Sequence, residues 1–239
     1  MGVIVFNGIS SSDLHTLVQH PPGYAIPERD CEVTHVPGRN GDIVVDNGTW
    51  KNVERTYNLA IDARKDSYSA VASAVANWLH SAKGYARLED TYDQDVYRMA
   101  MYKANTNISN IYMKAGVFDI SFDCKPQRFL KSGEKTVSFT KSKEIYNPTM
   151  FESKPSIIVY GYGSGTVSGT VSINGLDISI HNVVDGMVID CELEDVYYQN
   201  ANLNSNVTVE KFPTLKPGNN IITISSSIRI DIIPRWWSL

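Results

Sequence analysis

Cysteine is scarce in this 239-residue chain. Cys31, Cys124 and Cys191 are odd in number and far apart, so neither a disulfide framework nor a paired-cysteine metal site follows. They read as reduced, buried thiols of a chain made in a reducing cytoplasm. An excess of one charge is missing too: 22 Lys and Arg stand against 26 Asp and Glu, a net charge of -4, and neither half is cationic. A groove that tracks phosphates needs clustered Lys and Arg, which excludes nucleic-acid binding as the main activity. Targeting signals are also lacking. The first cation is Arg29, so the apolar start Val3 to Phe6 has no charged region before it. Met1-Gly2 opens like an acylation signal, but Phe6 stands where Ser or Thr is required. The longest uncharged run, Pro155 to Leu176, is broken by Gly161, Gly163, Gly165, Gly169 and Gly175 and reads as sheet and turn, so no membrane insertion is expected.

What is present is a foldable chain, 42% hydrophobic, long enough for one large domain or two modest ones. One helix is expected at about 67–82. Val71, Val75, Trp78 and Leu79 form its apolar stripe, Asp66 or Ser67 caps its start, and Gly84 sits where a terminating glycine belongs. Elsewhere the period is two. Thr49 to Asp62 alternates, with Val53, Tyr57, Leu59 and Ile61 on one face, and Asn47-Gly48 before it reads as a hairpin turn. Val117 to Cys124 turns Phe118, Ile120, Phe122 and Cys124 inward, and Tyr97 to Ala104 is a further strand. Strands around one helix make the first half an α+β unit.

After Arg128 the texture changes. Lys131 to Lys154 is polar, with strand character only at Thr136 to Thr140, so the domains are placed at 1–131 and 132–239. Gly169 to Ile180 is a hairpin with an Asn174-Gly175 turn. Short strands recur at Met187–Asp190, Leu193–Tyr198, Val207–Val209, Asn220–Ser225 and Ile228–Ile233, the pattern of an antiparallel β-sandwich or jelly roll. The fold class is therefore mainly β.

Chemistry is sparse. The histidines His15, His20, His35, His80 and His181 form no zinc motif, and His80 suits the end of the helix dipole. Glu89-Asp90 with Asp93 and Asp95, and Glu192 with Glu194-Asp195, offer carboxylate pairs of the sort a glycosidase or calcium site uses. They read better as solvated turns and strand edges. Gly161 to Gly165 resembles a phosphate loop but precedes a strand, not a helix. No catalytic residue, metal or cofactor is assigned.

Two sets of residues stand out. Val36, Pro37, Gly38, Arg39, Asn40 and Gly41 hold two successive turn signals with Arg39 at their tip, either a plain surface loop or a projection that offers a guanidinium to a partner carboxylate. Tyr197-Tyr198 and Trp236-Trp237 point alternately to opposite faces. One of each pair is free to stack on a sugar ring or to serve as core packing.

In order along the chain, several stretches together resemble the distal tail (Dit) proteins of siphophages: Phe6-Asn7-Gly8, Val36 to Gly41, Trp78-Leu79 followed by Ala86-Arg87-Leu88, Val117 to Pro126, Asn147-Pro148, Ser172 to Gly175, Val188 to Cys191, Phe212-Pro213, Leu215 to Asn220 and Ile232 to Trp237. The resemblance implies a tail-tube-like first domain that assembles as a hexameric hub ring, and a galectin-like second domain. It also implies the partners: further copies of the chain, the tail tube protein, the tape measure protein, and a tail-associated fibre or receptor-binding protein. DNA would pass the lumen without specific binding. The location implied is the virion tail tip, after assembly in the host cytoplasm. The Val36–Gly41 hairpin and the neighbouring Thr49–Asp62 strand are expected at the ring interface. The alternative is a saccharide-binding adhesion module using Tyr197, Tyr198, Trp236 or Trp237, and a carbohydrate-active enzyme built on the acidic clusters ranks behind it.

Overall fold

The computed structural model describes residues 1–64, 67–103, 109–112, 115–162 and 166–239. Asp66, Ala104 and the Gly163–Gly165 part of the glycine-rich stretch lie outside the described residues. The chain divides into two compact units, Met1–Arg128 with Leu239, and Phe129–Ser238.

The first unit comprises β1 (Ile4–Phe6), β2 (Ile9–Ser10), β3 (Thr16–Val18), β4 (Arg29–Thr34), β5 (Ile43–Trp50), β6 (Val53–Asp62), α1 (Tyr68–Leu79), β7 (Ala86–Asp90), β8 (Val96–Tyr102), β9 (Ser109–Tyr112) and β10 (Ala115–Leu130). Its main sheet runs β2-β1-β7-β8-β10-β6-β3, with β9 alongside β10. The longest pairing is β6 on β10, antiparallel from Ala115 opposite Asp62 to Cys124 opposite Val53. Because side chains alternate along a strand, that register puts Tyr57, Leu59 and Ile61 on the same buried face as Phe118, Ile120, Phe122 and Cys124.

Helix α1 covers this face with Val71, Val75, Trp78 and Leu79, all buried as the stripe predicts. Trp78 also donates its indole N–H to the Phe6 carbonyl at 3.1 Å, satisfying the one polar atom the ring takes inside. Ser67 caps the helix by accepting from the Ala70 amide at 3.2 Å. The end differs from expectation. The helix stops at Leu79 with His80 as its cap, four residues before Gly84, and the His80 ring packs edge-on to Tyr102 at 5.2 Å.

Two further expectations change here. Thr49 to Asp62 is not one strand: β5 ends at Trp50 and β6 starts at Val53. Asn47-Gly48 is no hairpin turn but a bulge inside β5. Asp30 pairs with Thr49 while Cys31 pairs with Asp46, so Asn47 and Gly48 are extra residues, with Gly48 at φ 72°. The positive φ that suits an Asn-Gly turn suits a bulge equally.

The second unit comprises β11 (Val137–Phe139), β12 (Lys143–Asn147), β13 (Ser156–Gly161), β14 (Val167–Ile173), β15 (Leu176–Val183), β16 (Met187–Asp190), β17 (Asp195–Tyr198), β18 (Ala201–Asn202), β19 (Val207–Val209), β20 (Gly218–Ile224) and β21 (Ile228–Ile233). Two antiparallel sheets, β11-β21-β13-β16-β17-β18 and β12-β20-β14-β15-β19, enclose one aliphatic core rich in Ile and Val. The hairpin β14–β15 closes through Asn174 and Gly175 at φ 53° and 84°, the paired positive values that match strand twist. Strand β12 is not legible in the polar Lys131–Lys154 segment, because only Ile145 and Asn147 of its five residues face inward.

Candidate functional site

Strands β4 and β5 form a sheet of their own, separate from the main sheet. They are inserted between β3 and β6, and the turn between them carries Val36, Pro37, Gly38, Arg39, Asn40 and Gly41. Gly38 and Gly41 sit at φ 83° and 78°, where a side chain would be strained, and the Arg39 amide donates to the Val36 carbonyl at 3.2 Å. These six residues are thus the tip of a projecting two-stranded ribbon. All but Val36 are exposed, and the Arg39 guanidinium meets no carboxylate among the described residues.

The ribbon buries nothing of its own. Val33, Ile43, Val44 and Val45 are exposed, Val33 and Val44 by 59% and 61%. Val33 lies opposite Val44 on one face; Thr34 opposite Ile43 and Glu32 opposite Val45 lie on the other. Each face therefore exposes aliphatic side chains beside polar ones. Surface contacts brace the ribbon: the ion pairs Arg29 with Asp46 and Lys51 with Glu28 at 3.1 Å, and a hydrogen bond between His35 Nδ1 and Asp42 Oδ1 at 3.0 Å, and Arg29 also lies 5.2 Å from the Trp50 ring centre. Pairs so exposed contribute little. A lone hairpin is marginal in water, and contiguous exposed aliphatics mark a surface that another molecule covers. Sequence reasoning found the tip and missed these aliphatics. The signal was there: Ile43-Val44-Val45 are consecutive, so no single buried face can take all three.

The aromatic candidates behave otherwise. Trp236 is 5% exposed within the second core and so cannot stack on a sugar, which corrects the expectation for that residue. The Trp237 ring stacks on Phe151 at 4.5 Å and donates its indole N–H to the Glu152 carbonyl. Tyr197 and Tyr198 are half-buried on β17, and the Tyr198 ring lies over Gly186 so closely that an added Cβ would come within 2.9 Å.

Of the acidic clusters, Asp90 needs correction, since it is a buried structural ion, whereas Asp95, Glu192 and Glu194 are exposed as expected. Asp90 takes hydrogen bonds on Oδ2 from Arg55 and from the Tyr57 hydroxyl, each at 2.8 Å. On Oδ1 it accepts from the amides of Tyr92 and Asp93. Burial pushes its pKa up, but these bonds and the Arg55 charge outweigh burial and hold it below the usual carboxylate range. Asp190 repeats the arrangement in the second unit. Arg235 clasps both its oxygens at 2.7 Å, the amides of Glu192 and Leu193 donate to Oδ1, and its pKa is likewise lowered against burial. Each aspartate ends a strand, fixes the turn after it, and ties that turn to a distant arginine.

Among the thiols, Cys124 and Cys191 are buried, with pKa values pushed up by burial to about 12, so neither is a nucleophile near neutral pH. Cys31, expected to be buried, is half-exposed at the ribbon base because the ribbon has no core to bury it. Among the described residues no group of three His, Cys, Asp or Glu could hold a metal ion, and no helix is long and apolar enough to cross a membrane.

No protein-family model matches the chain, and no curated protein does. Among solved structures, it is similar to the SPP1 Dit (gp 19.1) protein, described as a paradigm of the hub adsorption apparatus in phages that infect Gram-positive hosts. The TM-score is 0.78 at 12% identity over 100% of both chains. It is also similar to chains of the phage P2 baseplate in its activated conformation with Ca and with Sr, at TM-scores of 0.54 and 0.53. Each is 13% identical and covers 97% of this chain and 96% of the other. The fold is that of a Dit-type phage hub protein over its whole length.

Proposed function

We propose that this chain is a structural component of a phage virion: a hub ring of six copies at the distal end of the tail, joining the tail tube to the proteins that contact the host. The observation that carries this reading is the full-length likeness to SPP1 Dit, which takes in both units in one order. The exposed ribbon supports it independently, since the aliphatic side chains it exposes on both faces need a partner. Residues 1–131 build the ring and residues 132–239 supply the sandwich domain. The neighbours are the tail tube protein, the tape measure protein and a fibre or receptor-binding protein. The chain assembles in the host cytoplasm, is carried at the virion tail tip, and transforms no substrate.

The lumen passes DNA without gripping it, which a net charge of -4 favours. Negative-stain images of the purified chain test the proposal. Six-fold rings are the expected result, and a field of single particles of protomer size would overturn it.

A further inference from the structure

The first unit buries a cation that its own chain does not satisfy. Arg98 stands on β8 opposite Leu88 of β7, on the same face as the buried Val96 and Ala100, and is only 5% exposed. Its nearest carboxylate is Asp93, whose Oδ2 lies 3.9 Å from Arg98 Nη1, too far for a hydrogen bond. Among the described residues the Arg98 side chain donates no hydrogen bond at all. Asp93 is already engaged, since the same Oδ2 accepts from Arg128 Nη2. Arg128 is only partly satisfied. Its Nη1 donates to the Tyr24 hydroxyl at 2.7 Å and to the Leu239 carbonyl at 3.5 Å, whereas its Nε–H is buried without an acceptor. The third cation of the cluster differs: each nitrogen of Arg55 donates, to Tyr57, Gly23 and Asp90.

Charge follows the same line. Arg55 and Asp90 balance each other, which leaves the side chains of Arg98 and Arg128 against the one carboxylate of Asp93. Burial, and then the charges of Arg55 and Arg128, lower the Arg98 pKa, so its surroundings oppose the cation more than they hold it. A guanidinium presents its N–H groups as a planar fork that fits two oxygens of one oxyanion. We propose that Arg98 and Arg128 form an anion site of the first unit, which takes a small oxyanion of the phosphate class and ties β8 to β10 through it. The occupant is a free ion because its own chain covers Arg98 almost wholly. The site depends neither on the ribbon nor on the hub reading.

Titration of the full chain with inorganic phosphate tests this. Sodium chloride holds the ionic strength constant in an otherwise phosphate-free buffer. Isothermal titration calorimetry should find one phosphate bound per chain, and saturating phosphate should raise the unfolding midpoint by roughly 5 °C. Arg98→Met removes the buried charge and keeps much of the length. It should be no less stable than the parent without phosphate, because it buries no unsatisfied ion, and it should gain nothing when phosphate is added. Arg98→Lys keeps the charge but not the fork, and should bind phosphate at least about 10-fold more weakly. The proposal is overturned if the parent binds no phosphate, if added chloride gives the same shift, or if Arg98→Met binds phosphate as the parent does. Should Arg98→Met fail to fold, Arg98→Lys decides alone, and parent-like affinity in it would remove the site.

Discussion

Hairpins β14–β15 and β4–β5 are made of similar residues and have opposite fates. In the first, Val171, Ile173, Ile178 and Ile180 fall at alternate positions, so one face takes them all and each is at most 1% exposed. In the second, Ile43, Val44 and Val45 are consecutive, and the aliphatics divide between two faces with no core beneath either. The difference teaches that pattern, not composition, decides whether a strand pair stabilises its own fold or waits for another molecule.

The sharpest way to break that comparison is to charge the buried hairpin. Ile178→Asp should destabilise the second unit by at least ~4 kcal/mol, combining lost packing with a buried, unpaired carboxylate. Urea unfolding followed by circular dichroism should show that unit melting first; an unchanged midpoint would contradict the core assignment.

Next in size is the buried ion cluster of the first unit. Asp90→Asn leaves Arg55 without its charge partner and should cost ~3 kcal/mol, read from the same curves. Acid tests both aspartates at once. Their folded pKa values lie below the unfolded ones, so their contribution is complete above about pH 4 and is lost as pH falls through the folded values. Stability should therefore drop steeply below pH 4. A flat profile there would remove both clusters from the account.

A smaller effect compares two glycines held in the same left-handed region. Gly175→Ala should cost ~1 kcal/mol of global stability, since nothing lies within 4 Å of the added carbon and only the φ of 84° opposes it. Gly48→Ala, at φ 72° in the ribbon bulge, should leave global unfolding unmoved and change only amide exchange in residues 29–50. Equal losses at both sites would mean that the ribbon belongs to the cooperative core.

Smallest for folding is Val44→Asp, which should shift stability by no more than about 0.5 kcal/mol because the residue touches no core. Its consequence belongs to assembly.

Legibility in the sequence follows the same physics. The helix is readable because Val71, Val75, Trp78 and Leu79 repeat at the helical period, and β14–β15 because Asn174-Gly175 separates two alternating runs. Arg55 is visible as an inward position between Val53 and Tyr57, but a cation on a buried face makes sense only once Asp90, thirty-five residues away, is seen beside it. The Asp90 and Asp190 turns look solvated in a linear chain, since the arginines that bury them arrive from distant strands. The ribbon tip is marked by its turn residues, whereas its exposure depends on what is absent beneath it. Its one local trace is the consecutive run Ile43-Val44-Val45, which no single buried face can take.

The account rests on the ribbon's faces being covered by copies of the chain. Light-scattering mass, measured across concentration for the parent and for Val44→Asp, tests it most directly. The parent should reach six times the 26.6 kDa protomer while the variant, equally folded, stays near one. The same mass for both chains, whether ring or protomer, would contradict it.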